Sequence, residues 1–213
     1  MKHYAITIAR SLGSDGGEVA RRLAERLNIR FVDKELLEMA SDESGISEAL
    51  FNITDEKLNR RIFRKSTAAY SGEVYRPGAE DYLTQDNLFA IQSKILKDMI
   101  IKDEQSFVVV GRAANYVIGS LNNVFCVNIR ASEEYCIENI MERNNISESE
   151  ARKLIQKTNK YRANYYRYFT AQDWTDPANY DLTLNTSRLG ITTCTELIID
   201  ALEKKFGETI PRF

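Results

Sequence analysis

Apolar positions along this chain alternate between short continuous runs and a helical spacing. Tyr4 to Ile8 is an unbroken apolar run, as expected for a strand buried on both faces. Val19, Leu23 and Leu27 then fall at i, i+4 and i+8, with Ala20 and Ala24 beside them, which predicts an amphipathic helix. Ile29 to Val32 reads as a second strand ending at Asp33, and Leu36 to Ala40 as helical. After the break "SDESGIS", Ser47 opens another helix reaching toward Arg64. Residues 66 to 83 contain two glycines and a proline without periodicity and read as a mobile loop or plain surface linker. Thr84 can cap a long helix carrying Leu88, Ile91, Ile95 and Met99. "FVVVG" at 107 to 111 and "VFCVNI" at 124 to 129 are buried strands, and a helix follows from Ser132. Ser147 and Glu150 have capping-box spacing. "DLTLN" at 181 to 185 is the last strand, and Ile191 to Phe206 the closing helix. Strands alternating with helices predict an α/β fold, with a mostly parallel sheet covered on both faces.

Composition narrows the function. The 213 residues, 43% hydrophobic and 28% charged, suit a single globular domain spanning 1–213. The net charge of -2 argues against nonspecific nucleic-acid binding. No apolar run approaches a membrane span, and "MKHYAITIARS" reads as a first strand, not a secretory signal. Cys126, Cys136 and Cys194 are widely spaced within apolar patterns, so buried thiols in a reducing cytoplasm are expected. With His3 the single histidine, chemistry that needs a His pair or a Ser-His-Asp triad is excluded.

The candidate chemistry lies in three places. In "IARSLGSDGGEVARRL", Gly13, Gly16 and Gly17 let the backbone approach a ligand at a helix start, where free N–H donors and the helix dipole favour an anion. Ser14 adds a hydroxyl, whereas Asp15 sets a carboxylate where phosphates would sit. The same stretch also fits an ordinary strand-to-helix turn. Where the usual phosphate loop carries lysine and a hydroxyl residue, this chain has Gly16, Gly17 and Glu18. Asp33, about twenty residues beyond the glycines, would suit a dinucleotide fold, but the glycine spacing is not that fold's GxGxxG. Arg112 follows the third strand, where the carboxyl end of such a sheet opens into its cleft; a surface ion pair is the alternative. On the helix "KLIQKTNKYRANYYRYFT", Lys153, Lys157, Lys160 and Arg167 share one face, with Leu154, Tyr161, Tyr165 and Tyr168 alongside and Arg162 in a third direction. No acid interleaves them, which suggests an anionic partner; a solvated face is the alternative reading.

These residues together resemble bacterial cytidylate kinases, and more closely the cytidylate kinase-like proteins related to them. The opening "ITIARSLGSDGGEVARRLAERL" is similar to the strand, phosphate loop and helix of the kinase. "VGRAANYVI" is similar to its acceptor-arginine segment, "KTNKYRAN" to its lid, and "YDLTLNTSRLGI" to its last strand and closing helix. "RANYYRYFT" with "NTSRLGI" resembles the kinase-like branch in particular. The resemblance implies a P-loop domain with a five-stranded sheet, an acceptor-binding insertion over 34–83 and a helical lid over 143–173. It implies loop glycines at Gly13 and Gly17, an acceptor arginine at Arg112, lid cations at Lys157, Lys160 and Arg162, and an acceptor region beginning at Asp33. It also exposes departures: Arg10 stands for a loop glycine, Gly16 for the phosphate lysine, Glu18 for the hydroxyl residue, and Ala9 and Ala113 for aspartates.

The activity so implied is ATP-dependent phosphoryl transfer to a nucleoside monophosphate or similar small phosphorylated acceptor. Such an acceptor oxygen is already anionic, so positioning and charge neutralisation suffice without a protein base. Arg10, Arg112, Lys157, Lys160 and Arg162 are expected to form an electrostatic clamp, with Gly13 to Glu18 seating the phosphates. Mg²⁺ with ATP is expected from the resemblance, with Asp15, Glu18 or Asp33 as possible ligands. A homodimer is plausible. The competing readings are a nucleotide- or phosphoryl-ligand-binding protein with a degenerate loop and, more remotely, an NAD-linked oxidoreductase.

Overall fold

The computed structural model describes residues 3–33 and 85–207. The expected insertion over 34–83, with its helices, its loop and the Thr84 cap, lies outside the described residues. Along the chain come β1 (Ala5–Arg10), α1 (Gly16–Leu27), β2 (Arg30–Val32), α2 (Gln85–Ile101), β3 (Phe107–Val110) and α3 (Ala114–Ile118). They are followed by β4 (Val124–Arg130), α4 (Glu133–Asn144), α5 (Glu148–Thr170), a 3₁₀ turn (Pro177–Asn179), β5 (Leu182–Asn185) and α6 (Thr186–Phe206).

The five strands form one sheet in the order β2-β3-β1-β4-β5, and every neighbouring pair is parallel. Ile8 stands level with Val110 on one side and Val127 on the other. Because side chains alternate along a strand, β1, β3 and β4 each feed two cores. Ile6, Ile8, Val108, Val127 and Ile129 pack with Val19 and Leu23 of α1 and with Ile198 and Leu202 of α6. Ala5, Phe107, Val109 and Cys126 pack on the opposite face with Leu96 and Met99 of α2 and Ile118 of α3. Leu23 is fully buried, worth about 2 kcal/mol for a side chain of its size. The α/β sheet with helices on both faces is therefore as expected. So are the thiols of Cys126, Cys136 and Cys194, all free and buried.

Two elements differ from the sequence pattern. The chain after β3 turns through three consecutive residues of positive φ, Gly111, Arg112 and Ala113, and immediately forms the short helix α3, too brief for periodicity to reveal. The closing helix begins at Thr186 and breaks at Gly190 (φ 77°), so Ile191, the expected start, opens its second part. Ser147 and Glu150 do form the reciprocal capping box that starts α5. Among the described residues no helix is long and apolar enough to cross a membrane.

The carboxyl ends of the strands point to one edge. Helix α5 runs there, fixed at both halves. Its first half buries Ala151 and Ile155 against Cys136 and Ile140 of α4. Its second half joins Tyr165, Tyr166 and Phe169 to Phe89 and Trp174, with Phe89 stacked on Phe169 at 4.0 Å between ring centres.

Candidate active site

The glycine turn joins β1 to α1. Asp15 is the N-cap of α1 in left-handed conformation (φ 58°) and makes no side-chain capping bond. The first-turn amides of Gly16, Gly17 and Glu18 thus have no partner among the described residues, and space is open in front of Gly17. Gly13, at φ 83°, lies so close to α4 that a β-carbon there would stand 2.6 Å from the Cys136 carbonyl oxygen. Its own carbonyl accepts from Asn139 Nδ2 at 2.9 Å.

Three side chains of this turn are engaged within the protein. The Ser14 hydroxyl is spent internally, donating to the carbonyls of Ser11 (2.9 Å) and Ile129 (3.2 Å), so it offers no donor to a ligand. The Asp15 carboxylate, only 5% exposed at the residue level, turns away from the turn's mouth. It accepts from Tyr135 Oη at 2.7 Å, from Asn139 Nδ2 at 2.9 Å and from Arg143. The carboxylate that looked repulsive toward phosphate is thereby neutralised on the α4 side, and its hydrogen bond pushes the Tyr135 phenol up. Glu18 is paired with Arg21 and Arg22 at 2.7 Å each, and the Arg21 hydrogen bond holds its carboxyl down at about 2, with Arg22 assisting.

A cavity of about 260 Å³ opens beside the turn, at the carboxyl ends of β1, β2 and β3. Arg10, Asp33, Arg112 and Arg162 supply its charge, and Tyr161, Tyr165, Tyr166 and Trp174 its aromatic wall. Among the described residues, three guanidinium groups and one carboxylate line it. Burial pushes the Arg10 guanidinium down; Asp33 opposes that shift and Arg112 adds to it. Burial likewise pulls Arg162 down to about 9, with Arg10 contributing next, Asp33 opposing and Arg112 adding. After burial, like charge is the next lowering cause: Arg112 lowers Arg10, and Arg10 and Arg112 lower Arg162.

Helix α5 brings Arg162 into this cluster and closes over the turn. Arg162 Nη1 donates to the Arg10 carbonyl at 2.9 Å, and the Leu12 amide donates to Asn159 Oδ1 at 2.9 Å. The structure does not bring Lys157 and Lys160 to the cavity. Both are exposed on the outer face of α5, as are Lys153 and Arg167, and Arg167 pairs with Asp173 at 3.8 Å. The helical reading of that face is correct, and of the helix's cations Arg162 is the one that lines the cavity.

Of the three carboxylates expected for magnesium, two are engaged elsewhere. Asp15 is held by three donors and Glu18 by two arginines. Asp33 lines a cavity that is otherwise cationic, and the described residues contain no cluster of three potential metal ligands. Magnesium is usually held by one or two carboxylates together with substrate phosphates, and of the three expected carboxylates Asp33 is the one that lines the cavity.

Several residues that shape the site gave no sequence signal. Asn115 Nδ2 donates to Tyr166 Oη at 2.8 Å, fixing the cavity wall, and the Arg130 guanidinium lies 4.7 Å from the centre of the Trp174 ring. Tyr135, Asn139 and Arg143 look like an ordinary solvated helix face until Asp15 is seen to meet them. Asn159 alone had a readable cue, being three residues from Arg162 on the same helix.

Comparison with known proteins agrees with this architecture. An uncharacterized protein from Eubacterium ventriosum superposes with a TM-score of 0.70 at 24% identity, over 94% of this chain and 99% of that one. A shikimate kinase from Bacteroides thetaiotaomicron matches at TM-score 0.51 and 11% identity, over 94% of this chain and 98% of the kinase. A gluconokinase from Sinorhizobium meliloti matches at 0.51 and 13%, over 95% and 93%. At these identities the likeness is one of fold. No curated protein matched the chain. A family model does match, over residues 5–188, from β1 through the start of α6, and by that match the chain belongs to the cytidylate kinase-like family.

Proposed function

We propose that this protein is an ATP-dependent phosphotransferase acting on a nucleoside monophosphate or a similar small phosphorylated acceptor. The observation that carries the reading is the cavity in which Arg10, Arg112 and Arg162 face Asp33 beside the open amides of Gly16, Gly17 and Glu18. Amides at a helix start suit the donor's phosphate chain, and the arginines suit charge shared between donor and acceptor. An acceptor oxygen attacks the terminal phosphorus as the bond to the bridging oxygen breaks, releasing ADP. No protein base is needed, because a phosphate oxygen carries no proton that must leave. The chain's contribution is to hold the two anions in line and to keep water out beneath α5. The aromatic wall of Tyr161, Tyr165 and Trp174 offers an apolar surface for the rest of the acceptor.

A second reading, a protein that binds nucleotide without turnover, is favoured by the engagement of Asp15 and Glu18 elsewhere and by glycine at the lysine position. ADP release measured with ATP, Mg²⁺ and a panel of nucleoside monophosphates and other small phosphorylated acceptors separates the two. Acceptor-dependent ADP formation supports the transferase. Saturable ATP binding with no ADP from any acceptor selects the binding protein.

A further inference from the structure

Two glycines lie against the side chain of Arg10, Gly16 at its base and Gly111 at its tip. Gly16 is the first residue of α1. A β-carbon built there collides with Cβ of Arg10 and comes within 3.1 Å of its Cγ and 3.2 Å of Ile129 Cβ. At the neighbouring Gly17 a β-carbon meets nothing within 4 Å, so the restriction is particular to position 16. Gly111, after β3, is restricted by its positive φ of 78°, and Arg10 Nη1 lies in the space that a β-carbon there would take. The Arg10 side chain therefore runs from the end of β1, across the start of α1, to the end of β3. Its guanidinium reaches the cavity shared with Asp33 and Arg112.

Position 16 is where a phosphate loop ordinarily carries its lysine. A side chain at 16 and an arginine at 10 compete for one volume, and this chain holds the arginine. We propose that Arg10 has taken over the phosphate-binding charge of the loop lysine by a reciprocal exchange, with Gly16 and Gly111 as the gaps that admit it. This rests on the reading of the site as a polyphosphate site and is independent of whether transfer occurs. The exchange replaces a mobile point charge with a planar donor fork held in place, and the Arg10 backbone is itself held by Arg162 through the carbonyl.

The test is calorimetric titration of inorganic tripolyphosphate into the wild-type chain and four variants, each checked for folding by thermal melting. Arg10→Gly is expected to weaken binding at least tenfold, and Arg10→Met, which keeps the stem and removes the charge, to do the same. Gly16→Lys alone is expected to lower the melting temperature and to bind no better than Arg10→Gly. The double variant Arg10→Gly/Gly16→Lys is expected to regain at least tenfold over Arg10→Gly. Full affinity in a folded Arg10→Met, no recovery in a folded double variant, or no tripolyphosphate binding by the wild type would each overturn the exchange. Wild-type binding with the expected pattern but no ADP release with any acceptor would uphold the exchange and reject the transferase.

Discussion

Arg162 Nη1 donates to the main-chain carbonyl of Arg10 at 2.9 Å, joining two residues 152 positions apart in sequence, both of which bring guanidinium groups to one cavity. Two like charges are thus held together by a contact that uses the backbone of one and the side chain of the other.

Arg162→Ala should therefore separate stability from binding. Removing the side chain loses one hydrogen bond, worth about 1 kcal/mol, and removes a cation whose charge is opposed by burial and by Arg10 and Arg112. Ligand-free protein should melt within a few degrees of wild type, or above it, while ATP affinity falls at least tenfold. A fall in melting temperature with unchanged affinity would show that Arg162 only anchors α5.

Asp15→Ala should do the opposite. It removes the acceptor of Tyr135, Asn139 and Arg143, leaving Asn139 only its bond to the Gly13 carbonyl, and puts alanine in left-handed backbone at φ 58°. Unfolding in urea should show a loss of about 2–4 kcal/mol, with Asp15→Asn costing less because it keeps an acceptor. A loss below about 1 kcal/mol would mean that the Asp15 contacts do not hold the turn against α4.

Glu18 supplies a pH signature. Its carboxyl is held at about 2, below its ordinary value of 4.5, chiefly by the hydrogen bond from Arg21. A depressed acid stabilises the fold above its unfolded value, and that stabilisation is lost as pH falls toward the folded value. The pairs are partly open to water, so their worth is that of surface ion pairs, about 0.5–1 kcal/mol. Denaturation of wild type and Glu18→Gln at a series of pH values should show this gap at pH 6, shrinking between about pH 4.5 and 2. A gap that stays constant down to pH 2 would contradict the pairing.

Long, strongly periodic stretches were legible in the sequence because burial enforces period. The β1 and β3 runs, the Val19–Leu23–Leu27 stripe and the Ser147–Glu150 box all appear where the pattern placed them. The site was legible in part. Arg10, Asp33, Arg112 and Arg162 converge because they sit at strand ends or on the inner face of α5, which topology determines. Lys157 and Lys160 belong to the same basic sequence as Arg162, but helical geometry turns them outward, and charge counting alone does not tell inward from outward. Asp15 was misread for the complementary reason: its partners lie 120 to 128 residues away on α4, and no local pattern announces them.

The central claim is that the cavity of Arg10, Arg112 and Arg162 seats a polyanion. Calorimetric titration of ATP into the wild-type chain and Arg112→Ala, at fixed ionic strength and with folding checked by melting, tests it most directly. The account predicts one saturable site in the wild type and at least tenfold weaker binding in Arg112→Ala. Absence of heat in folded wild-type protein, or equal affinity in the two, would contradict it.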